Sequence, residues 1–530
     1  MSEVLKRLPG IDLTGGSFSM DGKEIKRIFV NGKEYEYNDL NSLLENIPAE
    51  VVNQIQVADW VNEAAQMSGE ITETSEKIIH LQYKEEYSSG IISRLAAGLG
   101  LNNLYNGNLF LNLSSKNLRA TVGGQMDNGI GSYKVNSNFS DKGVQYGLPR
   151  RNSTDVNLSY DPISKLSISG AFCINEDNIL LTTKSLRTSL VPNDSVRYNE
   201  ASSLLDKYNI PKSLNLRLLY KFNDLVYFKS SLSTFNTHQI EKEERVDVNY
   251  YGERFNRGKF ERQMKAYRDV KSEELTITNA IFIKFKKKRR SFAGSLDFRL
   301  NAANNNGLSN MENIYTENLY NNLIKIDDVS SVGGSTTTMG IKFTEPISRK
   351  IILIGSYNIS LFDERTQKEV FLVENNNKLQ DSIQSQAFSI NQSAHRAGFF
   401  FQYATARLIL KGGIESRHFN RDVSGLDKDW SQQISNNYTP SFTANYEING
   451  KSKISFRYQG TLQAPQIGDL QPVPNQVDSF NIFIGNPNLL PELKHRFNLF
   501  FNDAQTVNRR RLWAQLNYTI IARQITKKHI

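Results

Sequence analysis

The sequence predicts an all-β transmembrane β-barrel, built as an antiparallel meander, that follows a small N-terminal α+β domain. From about Gly90 onward, apolar and polar residues alternate with a period of two, which is typical of strands with one apolar and one polar face. The connections between these strands alternate between short polar turns and long polar stretches, as in outer-membrane barrels. The roughly sixteen to eighteen candidate strands also exceed what one soluble sandwich normally holds.

The composition agrees with a barrel better than with membrane helices. Hydrophobic residues make up 39% of the 530 residues, the mean hydropathy is -0.47 and the net charge is +9. No stretch approaches the roughly 18 consecutive apolar residues of a membrane helix. Cys173 is the only cysteine, which excludes an internal disulfide and a cysteine-based metal cage. A soluble all-β sandwich is the alternative, and the asymmetry of the connections argues against it.

Residues 1–89 differ in pattern from the rest and predict the N-terminal domain. "GSFSMDGKEI" and "KRIFVNGKEY" read as strands joined by Asp-Gly and Asn-Gly turns, because glycine takes positive φ at little cost. Asn38 or Asn41 then caps a short helix that carries Leu43 and Leu44 and stops at Pro48. "NQIQV" returns to strand. These elements predict a compact α+β domain.

Residues 90–530 are expected to form the barrel. In one of six clear hairpins, Val156, Leu158 and Tyr160 share a face before a turn at Asp161-Pro162. Aromatic residues lie close to the short turns, where a barrel has its girdle at the membrane interface: Tyr160, Tyr220, Phe222, Phe285, Phe343, Tyr403 and Tyr446. The polar stretches are expected to be long extracellular loops: Asn175 to Lys212, Thr237 to Ser272, Asn301 to Thr336, Asp363 to His395, and His418 to Tyr438.

Two separated motifs resemble one family. "VLKRLPGIDL", "MDGKEIKRIFVNGKEY" and "ENIPAEVVNQIQV" resemble the plug domain of TonB-dependent outer-membrane receptors of the Bacteroidetes type, and "GIISRLAAGLG" resembles the start of their first barrel strand. A later stretch resembles their Gly-Asn-Pro-x-Leu-x-Pro-Glu barrel signature, whose residues here are Gly485, Asn486, Pro487, Leu489, Pro491 and Glu492.

The resemblance implies that residues 1–89 are a plug domain and residues 90–530 part of a barrel. Members of this family close their barrels with 22 strands and carry a signal peptide, often with a regulatory-like domain. We therefore expect the sequence to be a fragment that lacks the signal peptide, the regulatory-like domain and the C-terminal strands. The implied location is the bacterial outer membrane. The implied partners are TonB with its inner-membrane motor, outer-membrane lipid and a surface lipoprotein, and no nucleic acid.

Motifs for catalysis, cofactors or metals are absent, and we expect no enzyme activity, no catalytic residue, no cofactor and no metal site. His-Glu-x-x-His, Cys-x-x-Cys and Gly-x-Ser-x-Gly do not occur. "GSFSMDGKE" departs from a phosphate loop in its spacing and at Glu24, so a hairpin turn is the better interpretation. The histidines are scattered without ligand spacing, and only His395 and His418 are expected to meet, as solvated side chains at the outer end of one hairpin.

Two further stretches each allow two interpretations. "KFKKKRR", Lys284 to Arg290, is interpreted as a short solvated turn near lipid head groups, and a nucleic-acid site is the less favoured reading. Aromatic and basic residues share one polar stretch and suit either a sugar or anion site or ordinary packing: Tyr250, Tyr251, Arg254, Phe255, Arg257, Arg262 and Tyr267.

The sequence and the resemblance together predict a transporter that imports a large or scarce nutrient through a plugged barrel. A surface receptor or adhesin without transport is the second hypothesis, and an outer-membrane enzyme is the third. The plug argues against an adhesin, since an anchor needs no gate. Glycan, peptide and metal chelate all remain open as substrates.

Overall fold

The computed structural model describes most of the chain from the N-terminal domain to the last strand. The described residues are 4–5, 11–14, 17–20, 23–35, 44, 47–61, 65, 68, 70, 76–87, 89–101, 103–129, 144–191, 195–251, 257–315, 321–374, 377–382, 384–425, 429–449, 452–470, 475–478, 481–486, 488–505 and 510–526.

A small sheet lies at the N-terminal end of the described chain. Its strands are β1 (Ile11–Thr14), β2 (Ser17–Met20), β3 (Lys23–Val30), β4 (Lys33–Tyr35), β5 (Val52–Asp59) and β6 (Glu76–Tyr83). They are ordered β1-β2-β3-β6-β5, and β4 pairs with β3. Only the β3–β6 pairing is parallel, because the chain crosses over between these strands. The strands expected in "GSFSMDGKEI", "KRIFVNGKEY" and "NQIQV" are all present.

The expected Asn-Gly turn joins β3 to β4. Asn31 has φ 51° and Gly32 has φ 80°, the left-handed conformations that a tight hairpin requires. The Asn31 side chain also accepts a hydrogen bond of 2.8 Å from the backbone N–H of Tyr83, which ties the turn to the end of β6. Most of the helix expected from Asn38 or Asn41 lies outside the described residues.

The core of the N-terminal sheet is apolar. Its buried members come from every part of the domain: Leu5, Ile11, Phe18, Ile25, Ile28, Val30, Leu44, Ile47, Val51, Ile79, Leu81 and Tyr83. Burial of each such side chain stabilises the folded domain by about 1.5–3 kcal/mol. This stabilisation offsets the conformational entropy that so small a domain loses when it folds.

A large antiparallel sheet contains the rest of the strands. They are β7 (Gly90–Leu99), β8 (Tyr105–Ser114), β9 (Leu118–Asp127), β10 (Val144–Ile163), β11 (Leu166–Val191), β12 (Ser195–Lys221), β13 (Val226–Tyr251), β14 (Arg257–Lys284), β15 (Ser291–Tyr315), β16 (Asn321–Pro346), β17 (Ile351–Glu374), β18 (Asn377–Gln380), β19 (Gln386–Ala404), β20 (Leu408–Gly425), β21 (Asp429–Asn449), β22 (Ser452–Gln463), β25 (Glu492–Gln505) and β26 (Arg510–Ala522). Two short strands, β23 (Asn475–Asp478) and β24 (Asn481–Phe483), pair with each other outside this sheet.

The strands follow one another as a meander, and the strand order runs as a ring in which β26 stands beside β7. Among the described residues, each neighbouring pair of long strands shows a residue-by-residue ladder except β26 and β7. Side chains at this seam are open to solvent: Leu95 is 80% exposed and Leu516 is 64% exposed. The predicted number of strands is confirmed.

Where the structure describes them, the polar stretches expected as long loops are mostly strands. The β11–β12 ladder, for example, continues to the pair Val191 and Ser195, and β11 to β17 are each 24 to 28 residues long. The expectation was wrong because backbone hydrogen bonds hold a hairpin together whatever the polarity of its side chains. A bilayer needs only about 9–11 residues of each tilted strand. The hairpins therefore extend well beyond it.

The two faces of the rolled sheet differ in polarity. On β16, Met339, Ile341 and Phe343 are 42–52% exposed and face outward, whereas Lys342 between them faces inward. Large apolar side chains also face outward on other strands: Leu109, Leu111, Val156, Leu158, Ile168, Leu216, Ile281, Leu296, Phe399, Phe401 and Ile414. An exposed apolar band on one face of an antiparallel sheet is typical of contact with lipid.

Several of the expected girdle aromatics lie at the short turns and are open to the outside. Tyr160, Phe222, Phe285, Phe343 and Tyr446 are between 40% and 52% exposed. Within the described part of the chain, no helix is long and apolar enough to cross a membrane.

Candidate functional site

The candidate site is the contact between the N-terminal sheet and the inner face of the large sheet. Glu34, Glu70 and the apolar core of the N-terminal domain reach side chains on β7, β8, β12, β16 and β20. These strands are distributed widely around the ring. The N-terminal domain is therefore held from several sides by one continuous wall.

Glu70 forms the most buried of these contacts. Its side chain is only 4% exposed and lies between Lys342 of β16 and Lys411 of β20. Lys342 donates to one carboxylate oxygen, and Lys411 Nζ lies 2.6 Å from the other. Burial by itself raises the pKa of Glu70, but the two lysines outweigh it and hold this pKa below its usual value. Glu70 is therefore a carboxylate at neutral pH.

A cavity of about 410 Å³ adjoins this ion pair. Polar groups line one part of it, and the apolar side chains of Phe282, Ile354 and Phe400 line another. The ammonium group of Lys411 lies 5.7 Å from the centre of the Phe400 ring, which places the cation next to an aromatic face. Charge and apolar surface are thus combined within one concave space.

Glu34 makes the second polar contact, close to the short turns. Arg217 of β12 donates to one of its carboxylate oxygens at 2.6 Å, and Arg27 of β3 donates to the other at 2.5 Å. The Arg27 guanidinium in turn lies 4.6 Å from the ring centre of Trp60. A cavity of about 810 Å³, lined by Trp60, Glu34 and Arg217 among others, separates the two sheets here.

An apolar contact completes the interface. Phe110 of β8 is 1% exposed and belongs to the core of the N-terminal domain, and Ile92 of β7 packs against that core. Leu109, which precedes Phe110 in the sequence, is 45% exposed on the opposite face of β8. Alternation along one strand therefore gives one side chain to the N-terminal domain and the next to the outer surface.

The signature residues lie at the opposite end of the large sheet from the short turns, in the segment between β22 and β25. The backbone N–H of Asn486 donates to the carbonyl of Asp469 at 2.7 Å, and Leu489 packs near Leu470 of the short helix α1 (Ile467–Leu470). Glu492 is 8% exposed and accepts a hydrogen bond of 2.6 Å from the backbone N–H of Ile525.

These signature contacts hold the segment in place. Gly485 and Pro491 lie in the two described stretches on either side of Pro487, which is outside the described residues. The segment rests on the inner face of the sheet, where Leu470 and Leu489 pack against Ile390 and Val423. Gln433 donates to the carbonyl of Leu489 at 2.7 Å. These contacts support a structural role for the signature. That its residues form a functional site stays a prediction.

His395 and His418 meet, but partway along the hairpin rather than at its outer end, because the ladder continues to the pair Phe388 and Gly425. The two histidines are direct partners in the β19–β20 ladder, and their ring centres are 6.0 Å apart. Tyr357 and Asn436 supply further hydrogen bonds, of 2.8 Å to His395 and 2.6 Å to His418. No group of three or more potential metal ligands occurs among the described residues.

The basic run forms the expected turn between β14 and β15. Lys287 and Arg290 both contact Glu345 of β16, at 2.6 and 2.7 Å. Tyr267 and Arg262, expected in a loop, lie instead on β14, while residues 252–256 of that stretch lie outside the described part.

Sequence reasoning missed Glu34, Glu70, Arg217, Lys342 and Lys411. Glu70 is 272 and 341 residues away from its two lysines, so no local pattern connects them. One signal was present: a charged residue that alternates with apolar residues near a short turn, as Lys342 does in "MGIKFTEP", is expected on the inner face of a barrel.

A model of the outer membrane protein beta-barrel family matches residues 283–529, slightly less than half of the chain. No curated protein matches the chain. The family match and the outward apolar band indicate that the chain is located in the bacterial outer membrane.

Several solved structures match the chain at low sequence identity. The FrpB iron transporter from Neisseria meningitidis is 11% identical, with a TM-score of 0.28 over 95% of this chain and 89% of that one. The ferric-catecholate import receptor Fiu from E. coli K12 is 10% identical, with a TM-score of 0.37 over 98% and 93%. The ferric yersiniabactin uptake receptor FyuA from Yersinia pestis is 11% identical, with a TM-score of 0.31 over 98% and 86%. TM-scores this low carry no weight for function.

Proposed function

We propose that this chain is a TonB-dependent outer-membrane transporter of the Bacteroidetes type, which imports a large or scarce nutrient. In this proposal residues 1–89 are the plug domain and residues 90–530 form the barrel around it. TonB and its inner-membrane motor supply the pulling force. A surface lipoprotein that delivers the substrate is a further proposed partner.

The observation that carries the proposal is the contact of the N-terminal sheet with the inner wall. Glu34 with Arg217, and Glu70 with Lys342 and Lys411, are polar contacts between separate domains. Hydrogen bonds of this kind contribute modestly in net terms, because water replaces them when they break. An interface rich in such bonds can hold a gate shut and still release it under force.

Movement of the gate can be tested without knowledge of the substrate. Ala65 is 2% exposed in the N-terminal domain, so a cysteine at this position should react with a membrane-impermeant maleimide only when the domain moves. Cys173 is first replaced by serine, which leaves Ala65→Cys as the only thiol. We expect labelling in energised cells to fall several-fold when TonB is deleted.

A matched control uses Leu379→Cys in the same background. Leu379 is 58% exposed on β18, so its labelling should not depend on TonB. Equal labelling of Ala65→Cys with and without TonB would contradict a TonB-driven gate and favour a surface receptor or adhesin.

A further inference from the structure

We propose that Lys342 and Lys411 form a binding site for the carboxylate group of an organic anion, which Glu70 occupies until the substrate displaces it. This inference deepens the proposed function and rests on it, since it names the class of substrate. The substrate would be an organic acid with an aromatic or aliphatic part, or a larger molecule that carries such a group.

Two lysines on the inner wall bind one carboxylate. Lys342 and Lys411 come from different strands, β16 and β20, and each binds a different oxygen of one carboxylate. Both remain partly exposed, at 33% and 24%, whereas Glu70 itself is 4% exposed. Two ammonium groups arranged in this way are an anion site by their chemistry, and the carboxylate now bound is the N-terminal domain's own.

A cavity adjoins the two lysines. The adjoining cavity of about 410 Å³ is within the usual size range of small-molecule sites, which begins at about 300 Å³. Phe282, Ile354 and Phe400 give it an apolar wall, and Ser295 and Asn358 add hydrogen-bonding groups. A site of this composition favours an anion with an apolar body over a purely polar sugar.

A similar arrangement recurs at β12. There Glu34 of the N-terminal domain binds Arg217 of the inner wall, again next to aromatic side chains and a cavity. At both places the domain supplies the carboxylate and the wall supplies a cation, although Glu34 also binds Arg27 of its own domain. Once the domain moves, an anion that enters from outside finds cationic groups at more than one place on the inner wall, and no covalent step is needed for it to replace a carboxylate of the domain.

Binding of phenylacetate to the full chain, purified in detergent, tests the proposal. Equilibrium dialysis with radiolabelled phenylacetate should show binding about tenfold tighter to Glu70→Gln than to the unmodified protein, because the competing carboxylate is gone and more of the protein is competent to bind. The double variant Lys342→Gln, Lys411→Gln should lose this binding. Phenylacetamide, which has the same ring but no charge, should not compete.

Glu345→Gln is the matched control, since it also removes a carboxylate from two cations but at an exposed turn. It should leave phenylacetate binding unchanged. Glu70→Asp keeps the charge and shortens the reach, so it should give intermediate affinity and guards against a misfolded Gln variant. Equal binding by Glu70→Gln and the unmodified protein, no binding by either, or competition by phenylacetamide would overturn the proposal.

The two proposals fail separately. If phenylacetate does not bind but maleimide labelling of Ala65→Cys still depends on TonB, the substrate class is wrong and the transporter stands. If binding follows the expected order but labelling is independent of TonB, the anion site stands and the energised gate is wrong.

Discussion

Glu70 and Glu345 each hold two cationic side chains, but in different surroundings. The Glu70 side chain is 4% exposed and connects two domains, whereas the Glu345 side chain is 24% exposed and connects neighbouring turns of the large sheet. Removal of a buried partner leaves charges that water cannot fully compensate, while exposed ion pairs contribute little. Burial and location, rather than the number of ion pairs, therefore decide which contact controls the N-terminal domain.

The apolar part of the inner interface should give the largest effect. Phe110→Ala removes a fully buried ring and should lower the free energy of unfolding of the N-terminal domain by about 3 kcal/mol. With Trp430 and Trp513 replaced by phenylalanine, fluorescence of Trp60 in urea reports this unfolding. Leu109→Ala, on the outward face of the same strand, is the control. An equal effect of both changes would contradict the assignment of the faces.

Glu70→Gln should give the second-largest loss of stability. The substitution keeps the shape and removes the charge that Lys342 and Lys411 face, so we expect a loss of about 2 kcal/mol in the same urea titration. Lys342→Gln tests the same contact from the barrel side. A shift below the error of the measurement for both variants would show that the contact does not hold the domain.

Acid should reproduce part of this loss. The pKa of Glu70 is lowered from 4.5, so the stabilisation is complete above about pH 4.5 and disappears as the pH falls through the lower, folded value. Trp60 fluorescence, followed from pH 7 to pH 3, should show the transition in the unmodified protein. The Glu70→Gln variant should lack it. A transition of equal size in that variant would assign it to another group.

Glu345→Gln should have the smallest effect, although it disrupts contacts with both Lys287 and Arg290, because exposed ion pairs contribute little to stability. The urea midpoint for Trp60 should therefore be unchanged. A loss as large as that for Glu70→Gln would remove the basis of the comparison, because exposure would then not distinguish the two sites.

The sequence predicts the periodic part of this molecule well. Alternation identifies the strands, and the Asn-Gly turn and the Asp161-Pro162 pair locate hairpins to within a few residues, because both are local properties of the chain. Asp161-Pro162 itself lies at the end of β10, and the turn follows at Ser164 and Lys165. Alternation also predicts that Lys342 faces the lumen. It cannot predict that Lys342 meets Glu70, since that contact depends on how an entire domain is seated within the sheet. The polar ends of the hairpins were missed because their ladders are formed by the backbone.

The length of these hairpins has a consequence for the cell surface. A strand of 26 residues, at about 3.4 Å per residue and a tilt near 40°, rises well above a hydrocarbon layer of about 25 Å. Roughly 40 Å of paired ribbon would then project into the surroundings of the cell. Phages, antibodies and proteases would meet these ribbons before they meet any other part of the molecule, so pressure to vary should fall on the ribbons and spare the lysines deep within the lumen.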